Sequence, residues 1–273
     1  MDKIRLGGRL LVVDWDYFFP DPTMTENPGD TKTLLLYDWG HRESKFHIER
    51  IWPTRAVGFL RNNLPLPRTL PWEGFWGRFQ IRNGAPVYIC DSNMYAGEKL
   101  PEHAGIDADG WAEVHLYDAH HDCGYRQGMT LLDFHRQGTY SCEDWMLVHA
   151  VMGSKLFVWY PQWRATSKGK VFEAEPKPAR GCNVTRRIDP GGRVVGEFDA
   201  VLICRSGAWV PPWCDDQYDR FVESLGRPAE WIDRHVSRHR DWDISYAEQE
   251  LMIHKMALKG QYAELAEKLG EGN

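Results

Sequence analysis

Val114-His115-Leu116-Tyr117-Asp118-Ala119-His120-His121-Asp122 passes from apolar residues straight into alternating acid and imidazole, and Cys123-Gly124 then turns the chain away. A short apolar run bounded by turn residues reads as a buried strand. Successive side chains on a strand take opposite faces. Extended geometry therefore puts Asp118, His120 and Asp122 on one side and Tyr117, Ala119 and His121 on the other. Two like charges about 4 Å apart cost roughly 4 kcal/mol at an effective dielectric near 20. A bound cation removes that cost. A polar strand end with solvated acids is the plainer alternative.

A second stretch adds weight to the cation. Arg9-Leu10-Leu11-Val12-Val13 leads into Asp14-Trp15-Asp16, and Pro20-Asp21-Pro22 closes the segment. Again an apolar run delivers two carboxylates to a strand end. In open parallel sheets ligands sit at the carboxyl ends of the strands, where several such ends meet. Asp14, Asp16, Asp118, His120 and Asp122 then form one oxygen-rich site with a nitrogen ligand. Such a set suits a divalent metal, manganese first, with zinc or iron as alternatives.

The strands recur along the chain with helical stretches between them. Apolar runs at 33–37, 86–90, 155–160 and 200–204 read as strands. Helices are expected over 48–63 (interrupted near Pro53), from Met94, up to Val151, over 215–225 and over 244–269. This alternation predicts an α/β/α sandwich of three layers around a mainly parallel sheet. At 273 residues the chain can bury one large core, so a single domain over 1–273 is expected. An excursion at about 161–198 is expected to carry a hairpin, with 184–188 and 193–195 flanking Asp189-Pro190-Gly191-Gly192. A C-terminal helical segment over 241–270 opens with Asp241-Trp242-Asp243, read as a helix cap. The polar loop at 20–31 and the turn at 38–43 follow strands and are expected beside the metal. That turn carries His41 and Glu43, either of which can reach a neighbouring site or simply stay solvated.

Composition narrows the partners. No apolar run approaches the roughly 20 residues needed to span a bilayer. The net charge of −6, with no dense basic block, argues against nucleic acid. The six cysteines form no C-x-x-C pair, so reduced thiols are expected. The N-terminal segment lacks a signal-peptide pattern. Together these features point to a cytoplasmic protein acting on a small molecule.

Asp118-Ala119-His120-His121-Asp122 matches letter for letter the Asp-Ala-His-x-Asp run of the arginases, and the chain resembles the arginase and histone deacetylase superfamily. Within it, the chain most resembles a little-studied arginase-like branch. Asp14-Trp15-Asp16 before a Pro-bearing loop resembles that family's other metal strand. Cys90-Asp91-Ser92 resembles the strand that ends there in Asp-His, and Ile203-Cys204-Arg205-Ser206 resembles another strand end. The Asp-x-Asp strand comes first here and last in arginases, so the motif order is permuted. Where arginases place a metal-binding histidine, this chain reads Ser92, with Asp91 and Asn93 beside it.

The resemblance implies a metal-dependent hydrolase of a carbon–nitrogen bond, amidine or amide, with metal-activated water as nucleophile. Asp14, Asp118 and His120 are the expected core ligands, with Asp16 and Asp122 completing or bridging. His121, His115, Glu143 and Asp144 are the candidates for the remaining acid or base. Glu143 and Asp144 can also receive a cationic substrate group. Two other readings compete. Asp14-x-Asp16 also resembles the nucleophile motif of haloacid dehalogenase-like phosphatases. A non-catalytic metal-binding or interaction protein retaining the fold is the third.

Overall fold

The computed structural model describes residues 4–29, 36–37, 43–126, 128–233 and 240–270. Nine strands are placed among them: β1 (Leu6–Asp14), β2 (Gln80–Ile81), β3 (Val87–Cys90), β4 (Gly110–Tyr117), β5 (Lys155–Tyr160), β6 (Val184–Ile188), β7 (Glu197–Phe198), β8 (Ala200–Cys204) and β9 (Glu230–Trp231). The helices are α1 (Lys45–Arg61), α2 (Met94–Glu98), α3 (Leu131–Gln137), α4 (Met146–Met152), α5 (Asp215–Glu223) and α6 (Ile244–Gly270). Seven strands form the central sheet in the order β6-β5-β4-β1-β8-β3-β9, and every pairing is parallel. The short β2 and β7 pair separately, also in parallel.

The alternation along β1 creates two cores. Leu11 and Val13 face one side, where Trp52 and Phe59 of α1 and Tyr218 and Phe221 of α5 cover them. Leu10 and Val12 face the other, beneath Ala96 of α2, Phe134 of α3 and Met146, Leu147 and Ala150 of α4. Strands buried on both faces read as near-continuous apolar runs, which is why 10–13 and 200–204 carry no polar residue. The expected three layers and parallel sheet are therefore present. No helix among the described residues is long and apolar enough to cross a membrane.

Several local expectations change. The helix expected to break near Pro53 runs on from Lys45 to Arg61 with Pro53 inside it. The strand expected at 33–37 lies outside the described residues except for Leu36 and Tyr37, which are helical. The expected hairpin does not form. Val184–Ile188 instead extends the main sheet, parallel to β5. The reason lies in the turn, where the buried Asp189 carboxylate accepts from Tyr17 Oη at 2.6 Å and Arg78 Nη2 at 2.6 Å. Those bonds anchor the turn to the body of the protein. The cap expected at Asp241-Trp242-Asp243 is present, since Asp243 accepts from the Ser245 N–H at 2.8 Å.

Candidate metal centre

The strand order extends to both sides of β1, and because these strands are all parallel the carboxyl ends of β1, β3, β4 and β8 lie on one edge of the sheet. Each end carries polar residues. β1 stops at Asp14, which caps a 3-10 turn over Trp15–Phe18 by accepting from the Asp16 N–H at 2.8 Å. This turn, not strand alternation, brings Asp16 round beside Asp14. β4 likewise ends at Tyr117, and the following bend places Asp118 and His120. Asp122 reaches the group through a left-handed backbone, φ 45°, a conformation uncommon outside glycine. Ser206, after β8, adopts another at φ 54°. Strained residues of this kind persist where the surroundings over-determine them, and functional sites collect them.

All five residues expected to ligate a metal converge. Ligand atoms of Asp16, Asp118 and His120 lie within 4.8 Å of one another. His120 Nδ1 stands 2.9 Å from Asp16 Oδ2 and 3.3 Å from Asp118 Oδ1. The Asn93 amide joins the rest, its Nδ2 lying 2.6 Å from Asp14 Oδ2, 2.9 Å from Asp118 Oδ2 and 3.1 Å from Asp122 Oδ2. Outer groups hold these carboxylates in place. Ser206 Oγ donates to Asp14 at 2.9 Å, Trp145 Nε1 to Asp122 at 2.8 Å, and the Ala119 N–H to Asp16 at 3.1 Å.

Four buried carboxylates face one imidazole, and their protonation reflects the imbalance. Burial, then the Asp16 charge, lifts the Asp14 carboxyl well above its usual range. Burial with the charges of Asp16, Asp122 and Asp14 does the same to Asp118. Burial outweighs the nearby His120 and raises Asp122 to about 7. For Asp16, burial is overcome by His120 and its hydrogen bonds, and the pKa falls. Burial opposes charge on His120, yet the Asp16 carboxylate and bonds to Asp118 and Asp16 hold the ring well above its ordinary pKa. The set fits a divalent cation: hard oxygens, one imidazole, and more negative charge than the chain itself neutralises.

This cluster is the floor of a cavity of about 240 Å³. Met24, Glu43, Tyr125, Cys142, Glu143, Arg164 and Trp209 form its walls. Trp209 packs its ring 4.9 Å from that of His120. Met24 belongs to the 20–31 loop and Glu43 to the 38–43 turn, so both segments reach the site through the residues described; His41 lies outside them. Burial raises the Glu43 carboxyl to about 8, against the hydrogen bond from Ser92 and with the Asp122 charge.

The acid–base candidates separate. Glu143 lines the cavity, whereas Asp144 borders a neighbouring depression and accepts from the Ser141 N–H at 2.6 Å. His121 is buried and outside the cavity wall, its ring stacked on Tyr125 at 4.2 Å and its Nδ1 accepting from the Cys123 N–H. Desolvation lowers it to about 4, so the ring is neutral. His115 sits within β4, stacked on Phe157, and desolvation lowers it to about 4 as well. Asp91 is committed elsewhere, since both its oxygens engage Arg205. Ser92 Oγ accepts from the Met94 N–H at 3.3 Å, and Asn93, one residue on, is the side chain that faces the carboxylates. Ser206 and Trp209 were given no role by the sequence. Ser206 stood only as the last letter of the strand end Ile203-Cys204-Arg205-Ser206, and Trp209 carried no signal of its own. No family model matches the chain, and no curated protein or solved structure is significantly similar to it.

Proposed function

We propose that this chain is a metal-dependent hydrolase of a carbon–nitrogen bond in an amidine or amide. The observation that carries the reading is the convergence of Asp16, Asp118 and His120, flanked by Asp14 and Asp122, at the floor of a cavity. The arginase-like letters of the Asp118 motif point the same way. A divalent ion held there supplies a Lewis acid and lowers the pKa of water toward neutrality.

The chain's own residues complete the site. Asp14, Asp16, Asp118, His120 and Asp122 are the ligating set, and Ser206, Trp145 and the Ala119 N–H fix the orientation of three of them. Outer-shell donors of this kind set ligand orientation and affinity. Glu43, with a pKa of about 8, holds a proton near neutral pH and can give it to a departing amine. Glu143 on the wall favours a cationic substrate, and Trp209 closes the wall beside His120 against water. The phosphatase reading draws less support. It needs Asp14 free to attack, and here both Asp14 oxygens accept hydrogen bonds.

The test is manganese-loaded protein against a panel of amidines and amides, followed by amine or urea release. Asp118→Ala and His120→Ala are expected to lose metal by elemental analysis and turnover by at least about 100-fold, while remaining folded. Metal-loaded protein that releases nothing from any member of the panel overturns the reading, as does wild-type metal binding in either variant.

A further inference from the structure

We infer that Asn93 is itself a metal ligand, through its side-chain oxygen, and that it completes a second cation position beside the first. The inference rests on the metal-hydrolase reading and deepens it. As placed, the amide nitrogen meets three carboxylate oxygens, those of Asp14, Asp118 and Asp122, at 2.6–3.1 Å. An amide has two N–H donors and cannot satisfy three such acceptors. Its Oδ1 is meanwhile buried with no partner, on a residue 3% exposed. Both faults have one origin, because the oxygen and nitrogen of an asparagine exchange by a half-turn and their assignment follows the hydrogen-bond network alone.

Turning the amide over brings four oxygens together, an arrangement that repels itself unless a cation lies among them. The spacing is the one such a cation imposes. Ligands adjacent around an octahedral ion with bonds of about 2.1 Å stand about 3 Å apart. Asp118 is suited to join the two positions, since its Oδ1 faces His120 while its Oδ2 faces Asn93. The backbone prepares the same geometry. Asn93 precedes α2 and follows Asp91, whose two oxygens are bound to the buried Arg205, so the segment that carries the amide is held in place. An all-oxygen set with asparagine favours a hard ion such as manganese or magnesium over zinc.

The probe is manganese chloride added to chelator-treated full-length protein, followed by calorimetric titration, elemental analysis and electron paramagnetic resonance. Wild type is expected to take up two ions with the broadened signal of a coupled pair. Asn93→Ala should keep one, with the signal of an isolated ion. Asn93→Asp, which retains an oxygen and loses the donor, should keep two. One ion in the wild type, or equal stoichiometry in wild type and Asn93→Ala, overturns the inference and leaves the hydrolase reading standing. Loss of the second ion in Asn93→Asp also overturns it, because the amide is then acting as a donor. No ion in the wild type overturns both.

Discussion

Glu43 shows how a single side chain acquires chemistry from its surroundings. It sits in a polar turn whose letters suit solvation equally well, yet burial at the cavity wall lifts its pKa to about 8. The folded state therefore holds this proton more tightly than the unfolded chain, where a glutamate titrates near 4.3. The resulting stability is complete below that lower value and is lost as pH rises through about 8. Glu43→Gln keeps the neutral form at every pH. In metal-free protein its urea midpoint is expected to fall less than that of wild type between pH 5 and 8. By pH 9 the variant should be the more stable, by roughly 1–3 kcal/mol. Parallel curves for the two proteins would remove Glu43 as a titrating group. The five ligand candidates were legible because apolar runs announce strand ends. Asn93 and Ser206 were not, since an amide or a hydroxyl after a strand is common and only three-dimensional placement sets these two apart.

At the scale of elements, the central strand carries its own constraint at the end away from the acidic cluster. Gly8 of β1 has φ 67°, and an added Cβ would lie 2.5 Å from Ile106 Cδ1 and 3.1 Å from Trp111 Cζ3. Gly8→Ala is expected to cost about 1–3 kcal/mol in chemical denaturation. Gly77→Ala, with nothing within 4 Å of the added carbon, is the control and should change stability little. Equal effects would show that the strained backbone of β1 is not under constraint. The strands were readable because those buried on both faces leave uninterrupted apolar runs. The hairpin was misread because Asp-Pro-Gly-Gly reports a turn and says nothing of where the chain goes next. Its direction is set by Tyr17 and Arg78, more than 100 residues away in sequence. Pro53 marks a similar limit, as helix packing in α1 outweighs the hydrogen bond lost there.

For the whole molecule, the proposed ion would be coupled to the fold. The candidate ligands lie at or just after the ends of β1 and β4, which pair directly, and the donors that hold them lie just after β8 and just before α4. An unfolded chain offers no such set, so a metal bound there would add about 2.7 kcal/mol at a free concentration of 100 times its dissociation constant. Chelation is expected to lower the melting temperature by several degrees, and re-addition of manganese to restore it. Indifference to chelator would separate the cluster from the stability of the fold.

The position of β1 also has a consequence for biosynthesis. Among the described strands β1 is made before all the others and becomes the middle of the sheet, and its neighbour β8 is made almost 190 residues later. At about 5–20 residues per second the interval is on the order of tens of seconds. Through it, Leu10-Leu11-Val12-Val13, fully buried in the finished protein, keeps an open edge toward every other nascent chain. This strand order thus transfers a risk from the folded protein to its synthesis. Chains halted before Ala200 should be the ones that chaperones hold and that aggregate when released.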